Sequence, residues 1–364
     1  MNRVAVLTSH LTTGDAVSND VVGMYRAFEG RGLDARIYAG SCDFTEPEVF
    51  PLDEIQDFLK GPSDLLIYHY SIGWEPGLDL LQTTKARTAI KYHNITPPEF
   101  FVGISEWHEE KCRQGREELR EVALADCDIY LADSEYNRRD LLLEGVSERK
   151  CFVVPPFHHI DRLHQIEPDM KVLDKYRDGT TNILMVSRVA PHKGHPALIK
   201  AFAAYHYDYN RRSRLIIVGK EEKAFKTYSK RLRGLAAYML SDEAVLFIGG
   251  ASDQALKSYY LLSSVFAITS HHEGFCVPIV EAMAMKVPVV AHASSAIPAT
   301  VGDAGLVLKD YKPYFMAEAI NRLVSDESLN FAFGLAGWRR YEQHFTNEKI
   351  SRELFRALSS LEQS

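Results

Sequence analysis

The 364-residue sequence has no apolar run close to the roughly 20 residues that a membrane-spanning helix requires. Its N-terminus shows no charged segment followed by an apolar stretch and a cleavage site. Both absences predict a cytoplasmic chain whose contact with the inner face of a membrane is peripheral at most. Cysteine is scarce: five residues, at 42, 112, 127, 151 and 276, form no CxxC pair. An odd, scattered set argues against a disulfide framework or a thiolate metal site and fits a reducing compartment. The pairs His158-His159 and His271-His272 have no third ligand at a suitable spacing, and neighbours on a strand point apart, so no metal is expected. The glycine fingerprint GxGxxG is missing from both halves, which argues against a dinucleotide oxidoreductase.

Positive charge is short in the first half. Residues 1–165 carry 17 Lys+Arg against 28 Asp+Glu, whereas residues 166–364 carry 25 against 21, within a net charge of −7. The positive field that a nucleic acid needs is not there. A few placed cations in the second half are still enough for a compact anion such as a diphosphate. The first half also has no long basic amphipathic helix: 107–121 mixes five glutamates with Lys111, Arg113, Arg116 and Arg120. An anionic lipid face is therefore not favoured there.

What is present is alternation. Short apolar runs (VAVLTS 4–9, DARIYAG 34–40, DLLIYHY 64–70, TAIKYH 88–93, DIYLADS 128–134 and CFVVPP 151–156) are separated by helical patterns. The stretch 157–180, polar and broken by Pro168, reads as a linker. Strand-like runs then resume with TNILMVSR (181–188), RLIIVGK (214–220), AVLFIGG (244–250), VFAITS (265–270) and VPVVAHA (287–293), one intervening helix being capped by Ser252 or Asp253. Near-continuous apolar strands between helices imply parallel sheets covered on both faces. The expectation is two doubly wound α/β domains, 1–165 and 166–344, with a final helix in 345–364 returning to the first.

Such sheets bind ligands beyond the carboxyl ends of their strands, and the natural site is a cleft between the two domains. The residues that follow each strand are therefore the candidates. Gly14, after the first, lets a backbone approach a phosphate or sugar, though it also fits an ordinary turn. His69 and His93 end the third and fourth strands, and Pro97-Pro98 fix the loop after His93. In SRVAPHKG, Arg188 and Lys193 are five apart before a helix; together with its N-terminus they could neutralise a diphosphate, or be solvated cations. In HHEGFCVPIVEAMA (271–284), Glu273 follows a strand, Gly274 and Phe275 turn, and Pro278 suits a first helical position. Glu281, one turn in, can accept hydrogen bonds from vicinal hydroxyls such as a ribose's.

This constellation resembles the retaining family 4 glycosyltransferases of GT-B fold. EGFCVPIVEAMAMKVPVVA looks like their E-x7-E signature, Arg188 and Lys193 like their donor-diphosphate pair, Gly14 like their first glycine loop and His93 like their strand-end histidine. The likeness spans nearly the whole chain and is strongest over 181–310. It departs in having one glycine in the first loop and Cys276 where glycine is frequent.

The resemblance implies that Glu281 holds the nucleotide ribose and that Arg188 and Lys193 neutralise the leaving diphosphate. Glu273 and the backbone of Gly274, Phe275, Cys276 and Val277 would grip the donor sugar, and His93 would touch it. Gly14, Gly219 and Ile248 would complete donor binding, the base resting near Phe247 to Gly250. The implied activity is hexose transfer from a UDP- or GDP-sugar to a saccharide or lipid-linked saccharide in polysaccharide or glycoconjugate synthesis. It proceeds with retention and without metal or cofactor. The alternatives are a GT-B nucleotide-sugar epimerase, which needs an acid/base carboxylate pair not evident in the first half, and a non-catalytic sugar-nucleotide binder.

Overall fold

A computed structural model describes residues 2–43, 46–241, 243–310 and 312–362. The chain divides into two units: residues up to Pro98, Trp107–His159 and from Phe345 onward form the first, and Glu99–Glu106 with Ile160–His344 the second. In chain order the first contains β1 (Arg3–Thr8), α1 (Ala16–Glu29), β2 (Asp34–Ala39), β3 (Val49–Phe50), α2 (Ile55–Phe58), β4 (Leu65–Tyr70) and α3 (Glu75–Thr83). It continues with β5 (Arg87–Tyr92), α4 (Glu106–Leu124), β6 (Ile129–Ala132), α5 (Glu135–Leu143) and β7 (Cys151–Val153). The second runs α6 (Ile160–Gln165), α7 (Met170–Tyr176), β8 (Thr181–Val186), α8 (His195–Asp208), β9 (Ser213–Val218), α9 (Lys226–Met239), β10 (Val245–Gly249) and α10 (Asp253–Leu262). Then come β11 (Val265–Ile268), α11 (Val277–Ala284), β12 (Val289–His292), α12 (Ile297–Val301), β13 (Gly305–Leu308), α13 (Pro313–Ser325) and α14 (Glu327–His344). The last helix, α15 (Asn347–Leu358), belongs to the first unit.

Both sheets are parallel, ordered β3-β2-β1-β4-β5-β6-β7 and β10-β9-β8-β11-β12-β13. Strand order reverses between β1 and β4 in one and between β8 and β11 in the other. The two doubly wound sheets expected from the alternation are thus present. Fully buried strands such as Leu65–Tyr70 explain why the runs read as continuous apolar stretches and not as alternation.

α15 returns to the first unit because its apolar stripe is buried there. Ile350, Leu354 and Leu358 join Val4, Val6, Met24 and Ile67 in one core, and Phe355 meets Phe28 edge-on at 5.6 Å. Thr346 caps the helix by accepting from the Lys349 amide. His158 bonds the Phe345 carbonyl (2.7 Å), and the Asn347 side chain donates to the His158 carbonyl (2.9 Å).

The stretch 157–180 departs from a bare linker. It holds α6 and α7, the latter capped by Asp169, with Leu173 and Tyr176 buried in the second unit. These helices are too short for a periodic signal to stand out from the surrounding polar residues. The edge strand β3, two residues long, escaped for the same reason, and β13 reads as loop because Gly302 and Gly305 punctuate it.

Candidate functional site

In the second unit the reversal point lies between β8 and β11, so the loops 187–194 and 269–276 leave adjacent strands on the same edge. They are tied together. The Thr269 hydroxyl donates to the Gly194 carbonyl (2.9 Å), and the His271 amide to the His192 carbonyl (2.8 Å). Gly194 has φ +70° and a Cβ there would stand 2.0 Å from the Thr269 carbonyl oxygen, so only glycine permits this approach. Gly219 is similar: its Cβ would meet the Ser187 carbonyl oxygen at 1.7 Å.

The tie brings Lys193 onto Glu273. Lys193 Nζ donates to Glu273 Oε2 at 2.8 Å, and the two side chains are 15% and 8% exposed. Ser270 donates to Glu273 Oε1 (2.7 Å), and the Glu273 amide donates to Ser295 Oγ (2.7 Å). Ser294 donates to the Ser270 carbonyl, and Thr300 to that of Phe275 (2.6 and 2.7 Å). The loop is therefore braced from the segment that follows β12.

Cys276 adopts φ +79° as the cap of α11, and its side chain accepts nothing from the first turn. Val277 opens the helix, with Pro278 one position further in than expected. Burial first, then the Glu273 carboxylate, pushes the Cys276 thiol well up, so it stays protonated. Two non-glycine residues in the left-handed region that glycine favours, Cys276 and Ser295 (φ +43°), mark a strained segment here.

Glu281 is buried on α11, and Tyr260 of α10 donates to its Oε2 at 2.6 Å. Arg188 is exposed and turned elsewhere: Nη1 pairs with Glu222 at 3.1 Å. Ile248 is partly buried in β10 beside Phe247, whose ring carries Arg233 at 4.6 Å. Segment 99–106 adds aromatic cover. Phe100 stacks on His271 (6.1 Å, 8°), and Phe101 packs on Phe225 and His192. A cavity of about 370 Å³ lined by Ser264, Lys286, Asn330 and Phe331 lies at the amino ends of β11 and β12, the opposite edge of the sheet.

In the first unit Gly14 (φ +80°) is an exposed turn just before Asp15, the cap of α1. His93 belongs to a buried chain of polar groups. Its Nδ1 bonds Asp133 Oδ2 (2.9 Å), its Nε2 bonds His69 Nδ1 (2.9 Å), and Lys91 Nζ pairs with Asp133 Oδ1 (2.6 Å). Asp20 Oδ2 lies 3.6 Å from both imidazoles and 3.7 Å from Lys91, and Asp20 Oδ1 accepts from the Phe157 amide (2.7 Å).

Asp20, His69 and His93 are close enough to one another for a cation. Their geometry favours a hydrogen bond instead. With nitrogens 2.9 Å and ring centroids 5.1 Å apart, the two imidazoles point at each other and not at a shared third point. Burial pushes the Asp20 carboxyl up, against the pull of Lys91 and His93. Asp133 is also buried, yet His93 and Lys91 hold it below the ordinary carboxylate value. His69 is pushed well down by burial, then by His93 and Lys91, and is neutral.

The paired histidines named in the sequence have separate partners: His158 the Phe345 carbonyl, His159 the Asn19 side chain, His271 the Phe100 ring. Sequence reasoning overlooked Asp20, Lys91, Asp133 and Tyr260. Lys91 had a visible signal, a lysine inside the otherwise apolar run TAIKYH.

Two parallel doubly wound sheets in tandem are the architecture of the GT-B fold. A crystal structure of Anabaena HepE in complex with UDP and glucose matches at TM-score 0.78, covering 99% of this chain and 100% of that one. At 17% identity that likeness speaks for the fold alone. Residues 169–338 match the family model described as glycosyl transferases group 1. The D-inositol 3-phosphate glycosyltransferase of Acidothermus cellulolyticus is 32% identical over 147 residues, 39% of this chain but 33% of that protein. Its counterpart from Actinosynnema mirum is 26% identical over 404 residues, covering 93% and 92%. The part of the second unit that resembles the group 1 glycosyltransferases is thus 169–338, a little less than half of the chain.

Proposed function

We propose that the chain transfers a hexose from a UDP- or GDP-sugar to a saccharide acceptor with retention, using its own cations in place of a metal. The observation that carries this reading is the Lys193–Glu273 pair, held at the β8/β11 reversal point beside the N-terminus of α11. Lys193 has three N–H donors and gives one to Glu273, which leaves two for phosphate oxygens. Charge grows on the departing diphosphate during transfer, so a cation fixed in advance lowers the barrier more than it tightens ground-state binding. Arg188, exposed and paired with Glu222, joins by exchanging that carboxylate for phosphate.

Glu273 and the backbone from Gly274 to Val277 grip the sugar in this account, and Glu281 the ribose. Gly219, Ile248 and the neighbouring residues of β10 flank the base, and Gly14 approaches phosphate. His93 reaches a sugar hydroxyl through Nε2 by giving up its bond to His69, with Asp133 keeping the ring oriented. The leaving phosphate oxygen takes the acceptor's proton on the same face of the sugar. The UDP and glucose in the HepE complex make UDP-glucose the first donor to test. The relatives' names add inositol phosphate to the acceptors worth testing.

The test is incubation with UDP-, GDP-, ADP- and dTDP-sugars, with and without saccharides or D-inositol 3-phosphate, while nucleotide release is followed. Release that depends on acceptor supports transfer. Isomerised sugar would support an epimerase, and binding without turnover a non-catalytic role.

A further inference from the structure

We infer that Tyr260 is a positioning residue for ribose recognition, acting through Glu281. The inference rests on the reading of Glu281 as the ribose ligand and names what makes that carboxylate fit for it. A carboxyl group on the first turns of α11, buried to 4% exposure, can be read by a diol only if it is held in one orientation and its oxygens have hydrogen-bond partners. Tyr260, itself fully buried, supplies the orientation. Its hydroxyl donates to Glu281 Oε2 at 2.6 Å, the length of a charge-assisted bond, and lies 3.4 Å from the Pro278 carbonyl. Its ring stacks on Phe266 of β11 at 6.2 Å, so the hydroxyl is fixed from the sheet and not from solvent. Burial, then Glu281, pushes the phenol well above its ordinary value, so it remains a donor at every working pH.

A purely structural Tyr260 would satisfy Glu281 and affect all ligands alike. A positioning Tyr260 affects only ligands that carry the ribose hydroxyls. The experiment is therefore a binding cycle by calorimetry on the full chain. Wild type, Tyr260→Phe and Glu281→Gln are each titrated with UDP and 2′-deoxy-UDP, and with GDP and its deoxy form, with melting curves to show that the variants fold.

In the better-bound pair, wild type should lose roughly tenfold in affinity on removal of the hydroxyl. Tyr260→Phe should weaken the ribonucleotide by a similar factor and leave the deoxynucleotide within about twofold. Equal weakening of both ligands, or of neither, overturns the role of Tyr260 alone. A wild type that does not distinguish the two nucleotides, with Glu281→Gln unchanged, overturns the assignment of Glu281 and Tyr260 together.

Discussion

Glu273→Gln separates the two demands placed on the 269–276 loop. The substitution keeps the side chain's shape and its contact with Ser270, but removes the charge that meets Lys193 at 2.8 Å. A charge-assisted bond between groups this well covered is worth about 1.5–3 kcal/mol, discounted little because the carboxylate side chain is 8% exposed. Melting of the second unit should fall by roughly 4–8 °C on that account. Turnover should fall more than stability suggests, by ~10²–10³-fold, because a group aimed at developing charge acts mainly in the transition state. UDP affinity should stay within a few-fold, since Glu273 is assigned to the sugar. Lys193→Met should reproduce the loss in kcat and also weaken UDP by about tenfold, and the double variant should fall short of the sum of the two. Stopped assays of nucleotide release, with calorimetry for UDP, measure both effects. If kcat stays within a few-fold of wild type, or if UDP affinity falls as much as kcat in Glu273→Gln, the division of roles is wrong.

Acid should destabilise the protein in a defined window. Burial, then Lys193, holds His195 at about 3, so between pH 6.5 and 3 the unfolded chain binds a proton that the folded one refuses. Stability should be lost by about 1.4 kcal/mol per pH unit from this group as pH falls below about 6.5, with His192 and His69 adding in the same direction. Urea midpoints that coincide at pH 7 and pH 5 would contradict this. Gly194→Ala forces a Cβ to within 2.0 Å of the Thr269 carbonyl at a φ of +70°, so at least ~2 kcal/mol of stability and most activity should go. A variant that melts normally and remains active would show that the loop tie is dispensable. Asp133→Asn removes the negative charge that faces the fully buried Lys91 at 2.6 Å and leaves it Asp20 at 3.7 Å and the Val154 carbonyl, which should lower chemical stability by ~3 kcal/mol or more; Lys91→Met with Asp133→Asn together should recover part of it.

The strands were legible because parallel sheets covered on both faces demand long β-branched and apolar runs, and Leu65–Tyr70 or Val265–Ile268 could hardly be anything else. The candidate loops were legible by position: the rule that ligands gather where strands end singled out Lys193 and Glu273, which the fold brings together, and Glu281 on the helix that follows. What stayed hidden depended on which loops become neighbours. Nothing in SRVAPHKG or HHEGFC states that Lys193 reaches Glu273; that follows from β11 pairing with β8, a contact between residues eighty apart. The linkage of Asp20, His69, Lys91, His93 and Asp133 was hidden likewise: His69 and His93 stood out singly, but their partners come from α1, from within β5 and from the residue after β6. Arg188 shows the converse: motif spacing placed it with Lys193, while its side chain turns to Glu222.

The anomeric configuration of the product tests the central claim most directly. Full-length protein incubated with α-configured UDP-glucose and a saccharide or inositol acceptor, followed by proton NMR, should release UDP only as acceptor is consumed and yield an α-linked glucoside. A β-linked product would contradict retention, and a sugar altered without any acceptor, or no release from any nucleotide sugar offered, would contradict the assignment of glycosyl transfer itself.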